Sequence, residues 1–144
     1  MTEYIHTELL SGPDQEILGE LDEHEISPET VDHAIHPRNY GAIENPDGEA
    51  MLKGICEDSI RIQLSLENNT VTDAAFSVHG CGFTMACGSA VTELARGRSV
   101  HEAMNITGKR INDFLGGLPE NHIHCADLAA GTLRAALLNA VKST

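Results

Sequence analysis

The chain is 144 residues long, 41% hydrophobic and only 3% aromatic, with no tryptophan and a formal net charge of −13. That length suits one domain with one core, which must be aliphatic and alanine-rich. The acidic balance weighs against nucleic acid, whose backbone needs a basic face, and no apolar run approaches the roughly 20 residues of a membrane span.

The start, Met1-Thr2-Glu3-Tyr4-Ile5, lacks the basic-then-apolar order of a secretory signal, so a cytoplasmic location is expected. Residues 1–25 form an acidic extension without lysine or arginine. Ile17, Leu18 and Leu21 are helix-spaced in it, but it reads first as a solvated arm and second as a docking arm for a partner. Residues 26–144 are expected to form the folded domain. Ser27-Pro28-Glu29 is a helix start, with a cap, a proline at the first helical position and an acid in the first turn. That helix should end near Ile35, because Pro37 disfavours helical geometry at His36. A turn over His36–Gly41 and a loop over Ile43–Gly48 follow.

From Ala50 the period changes to two. Met51–Cys56 is a candidate strand, and Ile60, Ile62, Leu64 and Leu66 alternate with polar residues in a second. Glu67-Asn68-Asn69-Thr70 reads as a hairpin turn, and Val71–His79 as the return strand. After Gly82 the period becomes helical: Phe83, Cys87, Ala90, Val91 and Leu94 share a stripe that Gly97 stops. Ser99 with Glu102 is a capping box, Thr107–Leu115 a short helix, and Cys125–Val141 the last helix. The fold class is therefore α+β, a small three-stranded antiparallel sheet with helices packed on one face.

Three of the four cysteines fall at element ends. Cys56 is expected to close a strand, Cys81 sits between Gly80 and Gly82 at a strand-to-helix junction, and Cys125 opens a helix. A thiol at a helix amino end is biased towards thiolate, which is both metal ligand and nucleophile. Three soft sulfurs with one nitrogen or oxygen donor suit iron–sulfur chemistry or zinc, with Asp58 beside Cys56 and His124 beside Cys125 as the further donors. An incomplete cysteine set leaves a labile position, which suits building and handing on rather than keeping.

Gly54-Ile55-Cys56-Glu57-Asp58, then Gly80-Cys81-Gly82 after a strand, then Ile123-His124-Cys125 resemble the iron–sulfur cluster assembly scaffold family, of the IscU type or the amino-terminal domain of NifU. Val31-Asp32-His33 and Pro37-Arg38-Asn39-Tyr40-Gly41 look like its amino-terminal helix and turn, so the resemblance spans roughly residues 27–141 of the chain. It implies that Cys56, Cys81 and Cys125 are the cluster-holding and sulfur-accepting thiols. It implies further that Asp58 ligates metal and keeps the cluster transferable, and that His124 is an alternative nitrogen ligand. The function implied is that of a scaffold, not an enzyme. A cysteine desulfurase supplies sulfur, an iron and electron donor supplies iron, a [2Fe-2S] cluster forms, and apo iron–sulfur proteins receive it. A homodimer sharing one cluster and a cluster completed by Asp58 or His124 fit three thiols equally.

The chain departs from that pattern. Glu57 replaces the family's usual glycine. The chaperone-recognition segment Leu-Pro-Pro-Val-Lys reads Leu118-Pro119-Glu120-Asn121-His122, which weighs against hand-off through an Hsp70-type chaperone, and puts His122 where lysine is usual. The gap from Cys81 to Cys125 lacks the insertion of the zinc-dependent SufU branch, and no later NifU domain follows, so a stand-alone scaffold is expected.

Each residue also has a plainer reading. The thiols could be ordinary core cysteines, Asp58 a turn cap, and His124 a helix-start residue without a ligand role. Cys87 lies on the apolar stripe and is expected to pack. His122 divides evenly between loop residue and substitute donor, and Glu57 reads as solvated. His6, His24, His33, His36, His79 and His101 share no metal spacing. The rival function is a zinc-bound sulfur acceptor that stimulates the desulfurase without carrying a cluster. A thiol redox enzyme has no C-x-x-C to support it.

Overall fold

A computed structural model describes residues 26–55 and 57–142. The expected leader helix and the candidate ligand Cys56 lie outside the described residues. The elements run α1 (Pro28–Ile35), β1 (Gly48–Lys53), β2 (Ser59–Glu67), β3 (Thr70–His79), α2 (Gly82–Ala95), α3 (Val100–Met104), α4 (Gly108–Phe114), a 3₁₀ turn (Glu120–His122) and α5 (His124–Lys142).

The strands form one antiparallel sheet in the order β1-β2-β3. In its register Ile60 faces Val78, Ile62 faces Phe76 and Leu64 faces Ala74. Alternation puts these residues on one side, where Ile60, Ile62, Leu64, Ala74 and Phe76 are buried. α2 and α5 cover that side and contribute Phe83, Cys87, Val91, Leu133 and Leu137 to the same core. With so few aromatics, close approach does much of the packing. A Cβ on Gly48 would stand 2.5 Å from the Ala136 carbonyl of α5, so only glycine lets α5 lie this near the start of β1.

Element ends follow local chemistry. Ser27 caps α1 by accepting from the Thr30 N–H at 3.0 Å. Ser99 and Glu102 form the reciprocal capping box of α3. Asn68 and Asn69 turn the β2–β3 hairpin at φ 53° and 62°, left-handed geometry that asparagine tolerates and that matches the twist of the strands.

β1 differs from the sequence expectation, beginning at Gly48 and ending at Lys53 rather than running from Met51 to Cys56. The chain then folds into a tight turn in which the Gly54 N–H donates to the Asp58 carbonyl at 2.7 Å. Asp58 therefore enters the sheet region from a turn, immediately before β2.

Candidate metal and thiol centre

Cys81 is the residue before α2, with extended backbone at φ −88° and no side-chain capping bond, so its thiol is free for other partners. Cys125 is the second residue of α5 and is buried. The two helix starts bring these thiols together at the end of the sheet. A cavity of about 640 Å³ opens there, lined by Glu57, Asp58, Cys81, His122, His124 and Cys125 together with Val78, His79 and Gly80.

Asp58 is 5% exposed and forms the floor. Two glycines make room for it. A Cβ on Gly80 would meet the Asp58 Cβ at 2.6 Å, and one on Gly54 would meet Asp58 Oδ1 at 2.8 Å. The two glycines flanking the turn and the junction are thus places where a side chain would displace the carboxylate.

Thr84, fully buried one turn into α2, ties the site together. Its hydroxyl donates to Asp58 Oδ2 at 2.8 Å and lies 3.6 Å from Cys81 Sγ and 3.7 Å from Cys125 Sγ. The Cys125 thiol also faces Asp58 Oδ2 at 3.9 Å and His124 Nε2 at 3.7 Å. Asp58 Oδ1 is buried and has no hydrogen-bond partner among the described residues. Buried polar oxygens are normally paired, so this one leaves a lone pair for a cation.

The two thiols are held in different states. A hydrogen bond from Cys125, supported by the backbone N–H groups of Thr84 and Phe83, lowers the Cys81 pKa to about 5, against an opposing contribution from burial. Cys125 is pushed up, first by that same bond to Cys81 and then by burial. The pair thus carries one proton, on Cys125, beside a Cys81 thiolate near neutral pH.

Asp58, His124 and Cys125 present donor atoms all within 4.8 Å of one another, and so do Cys81, His122 and Cys125. Thiolate, imidazole and carboxylate together suit zinc or iron–sulfur cargo. The buried Asp58 oxygen without a partner is the observation that this donor set fits a cation.

Of the sequence-expected residues, Asp58, Cys81, His124 and Cys125 share one cavity, and Cys56 lies outside the described residues. Its neighbour Glu57 lines the mouth. Cys87 is fully buried in the core, where burial pushes its thiol up, as its place on the apolar stripe predicts. His79, which sequence spacing does not single out, and His122, which it leaves open between loop residue and substitute donor, both line the cavity. Thr84 is the residue sequence reasoning missed. Its only signal is position, three residues after Cys81, where the first helical turn brings its hydroxyl back to the thiol.

A family model described as the NifU-like N-terminal domain matches residues 25–143. The chain is 37% identical over 114 residues to the iron–sulfur cluster assembly scaffold protein IscU 1 of Archaeoglobus fulgidus, covering 78% of this chain and 74% of that protein. It is 35% identical over 116 residues to IscU of Aquifex aeolicus, with the same 78% and 74% coverage. Against the nitrogen fixation protein NifU of Azotobacter chroococcum identity is 32% over 118 residues, covering 80% of this chain but 38% of that longer protein. Among solved structures, an N-terminal NifU-like protein from Brucella abortus is similar with a TM-score of 0.68 at 14% identity, covering 82% of this chain and 95% of that one. A protein described as an iron–sulfur cluster assembly scaffold for the SUF system, from Fervidobacterium islandicum, gives 0.63 at 23% identity, covering 77% and 95%. At those identities the two structures speak to the fold.

Proposed function

This chain belongs to the NifU-like N-terminal domain family, and from that premise we propose that it is a scaffold on which an iron–sulfur cluster is built and passed on. The cargo is a [2Fe-2S] cluster made from iron and from sulfur delivered by a cysteine desulfurase. Apo iron–sulfur proteins are the recipients. The observation that carries this reading is the meeting of Cys81 and Cys125 with Asp58 and His124 in one open cavity.

Each group has a role in that reading. The Cys81 thiolate is the nucleophile that accepts sulfur, because it is ionised near neutral pH and partly exposed. Cys125, Asp58 and His124 hold iron, and Cys56 supplies the further thiolate. Asp58 contributes a harder oxygen donor, weaker towards iron–sulfur cargo than a fourth thiolate, which keeps the cluster transferable. Residues 26–144 form the scaffold domain, and residues 1–25 are an acidic extension to it. Among the described residues no helix is long and apolar enough to cross a membrane.

The test is transfer. The protein is incubated anaerobically with a cysteine desulfurase, cysteine, Fe²⁺ and a dithiol reductant that supplies the electrons reducing persulfide sulfur to sulfide, then mixed with an apo [2Fe-2S] acceptor. Visible circular dichroism should show a cluster first on this chain and then on the acceptor. A cluster that appears on the acceptor at the same rate with this protein omitted would contradict a scaffold role.

A further inference from the structure

His122 has no role in the scaffold reading, which gives iron to Cys56, Cys125, Asp58 and His124, yet it stands at the cavity wall. It closes the 3₁₀ turn Glu120–His122, with its backbone N–H donating to the Pro119 carbonyl at 2.9 Å. Its ring stacks on Phe83 with centroids 4.0 Å apart and planes 20° from parallel. Phe83 is itself 2% exposed and sits two residues after Cys81. The backbone turn and the aromatic face together fix the imidazole beside the thiols.

We propose that His122 is a metal ligand, completing with Cys81 and Cys125 an outer donor triad that takes a single divalent cation of the Fe²⁺ or Zn²⁺ class. This rests on the scaffold reading of the same cavity and adds a mononuclear state to it.

Three observations carry the proposal. The three donor atoms already lie within 4.8 Å of one another. Donors around a tetrahedral zinc-sized ion stand about 3.5–3.8 Å apart, so closure needs about an ångström of movement, within the reach of side-chain rotation. A ring held by stacking loses little freedom on binding, which favours capture. The second triad, Asp58, His124 and Cys125, uses the same Cys125 sulfur. One sulfur cannot complete both sets independently, so an ion in the outer triad competes with cargo centred on Asp58. The outer triad offers two thiolates and a nitrogen, whereas the inner offers one thiolate, a nitrogen and an oxygen, so the two are spectroscopically distinct.

Co²⁺ is the probe, titrated anaerobically into the full chain carrying Cys56→Ser, so that only Cys81 and Cys125 supply sulfur at the site. The proposal predicts sulfur-to-cobalt charge transfer at the strength of two thiolates. His122→Ala and His122→Lys should each weaken Co²⁺ binding by about tenfold or more and lower that band, the scale of loss seen when a metal site's supporting groups are removed. His124→Ala should leave the two-thiolate band in place. Paired variants guard against misfolding, and their far-ultraviolet circular dichroism should match the parent. Unchanged affinity and spectrum in both His122 variants overturn the proposal, as does a Cys56→Ser protein that binds no Co²⁺ while the parent still assembles a cluster. In both of those cases the scaffold reading stands. A parent that takes neither Co²⁺ nor a cluster removes both.

Discussion

The Thr84 hydroxyl donates to Asp58 Oδ2 at 2.8 Å, joining the first turn of α2 to the turn before β2 in a fully buried contact. Without it, the carboxylate has only the long Cys125 thiol contact at 3.9 Å among the described hydrogen bonds. Thr84→Val keeps the shape and deletes the donor. Hydrogen bonds to charged groups are worth about 1.5–3 kcal/mol, so Thr84→Val should lower unfolding free energy by about that much, while Thr84→Ser should cost less than about half of it. Urea denaturation of the apo-protein checks this, and equal loss in both variants would mean that packing rather than the hydroxyl matters.

Asp58→Ala removes the oxygen donor from the floor of the cavity. In the scaffold reading that carboxylate is the weak, exchangeable ligand. Its loss should slow the decay of visible absorbance in the presence of a chelator or an apo acceptor by severalfold. Faster decay than in the parent would show that Asp58 retains the cluster rather than releasing it.

Thiol reactivity should follow the pair of cysteines. The thiolate is the reactive form, and the Cys81 pKa is lowered to about 5 chiefly by the Cys125 bond. Iodoacetamide labelling of Cys81, followed by peptide mass analysis, should therefore show a titration midpoint near that value, well below the ordinary thiol range. Cys125→Ala removes the largest cause and should move the midpoint upwards. Cys125 itself is pushed up and should label last of the two. A Cys81 midpoint in the ordinary thiol range, unmoved by Cys125→Ala, would contradict the shared proton.

Glu57 occupies left-handed backbone at φ 68°. A residue with a Cβ pays about 1–2 kcal/mol there, part of which glycine gives back through the entropy of the unfolded chain. Its ion pair with Lys53, at 3.6 Å, is solvent-exposed and contributes little. Glu57→Gly should thus raise stability by about 1 kcal/mol, read from the shift in denaturation midpoint. A loss of stability would mean that the glutamate side chain does more than its exposed pairing indicates.

Glu57 also shows how far sequence carries. Its departure from the family's glycine was visible in the chain, but only coordinates show that the position needs positive φ. The helices and the β2–β3 hairpin were legible because their periods, caps and turn residues are local. The start of β1 was not, because Asn45-Pro46-Asp47-Gly48 looks like loop punctuation, and Gly48 belongs to a strand through its pairing with Leu64 of β2, 16 positions on. The convergence of Asp58, Cys81, His124 and Cys125 was legible through motif order. Thr84 and His79 were not, since their places depend on neighbours from other elements, and His122 was legible only as an even choice between loop residue and substitute donor. Thr84 bonds a residue 26 positions away, and His122 is set by Phe83.

The most direct measurement is anaerobic reconstitution with Fe³⁺ and sulfide, followed by removal of unbound metal and analysis of iron, acid-labile sulfide and zinc. A scaffold centred on Cys81 and Cys125 predicts a coloured protein with iron and sulfide in equal amounts. Cys81→Ser and Cys125→Ser should each lose that colour while staying folded. A colourless parent with stoichiometric zinc and no sulfide, or a cluster undiminished in both serine variants, would contradict it.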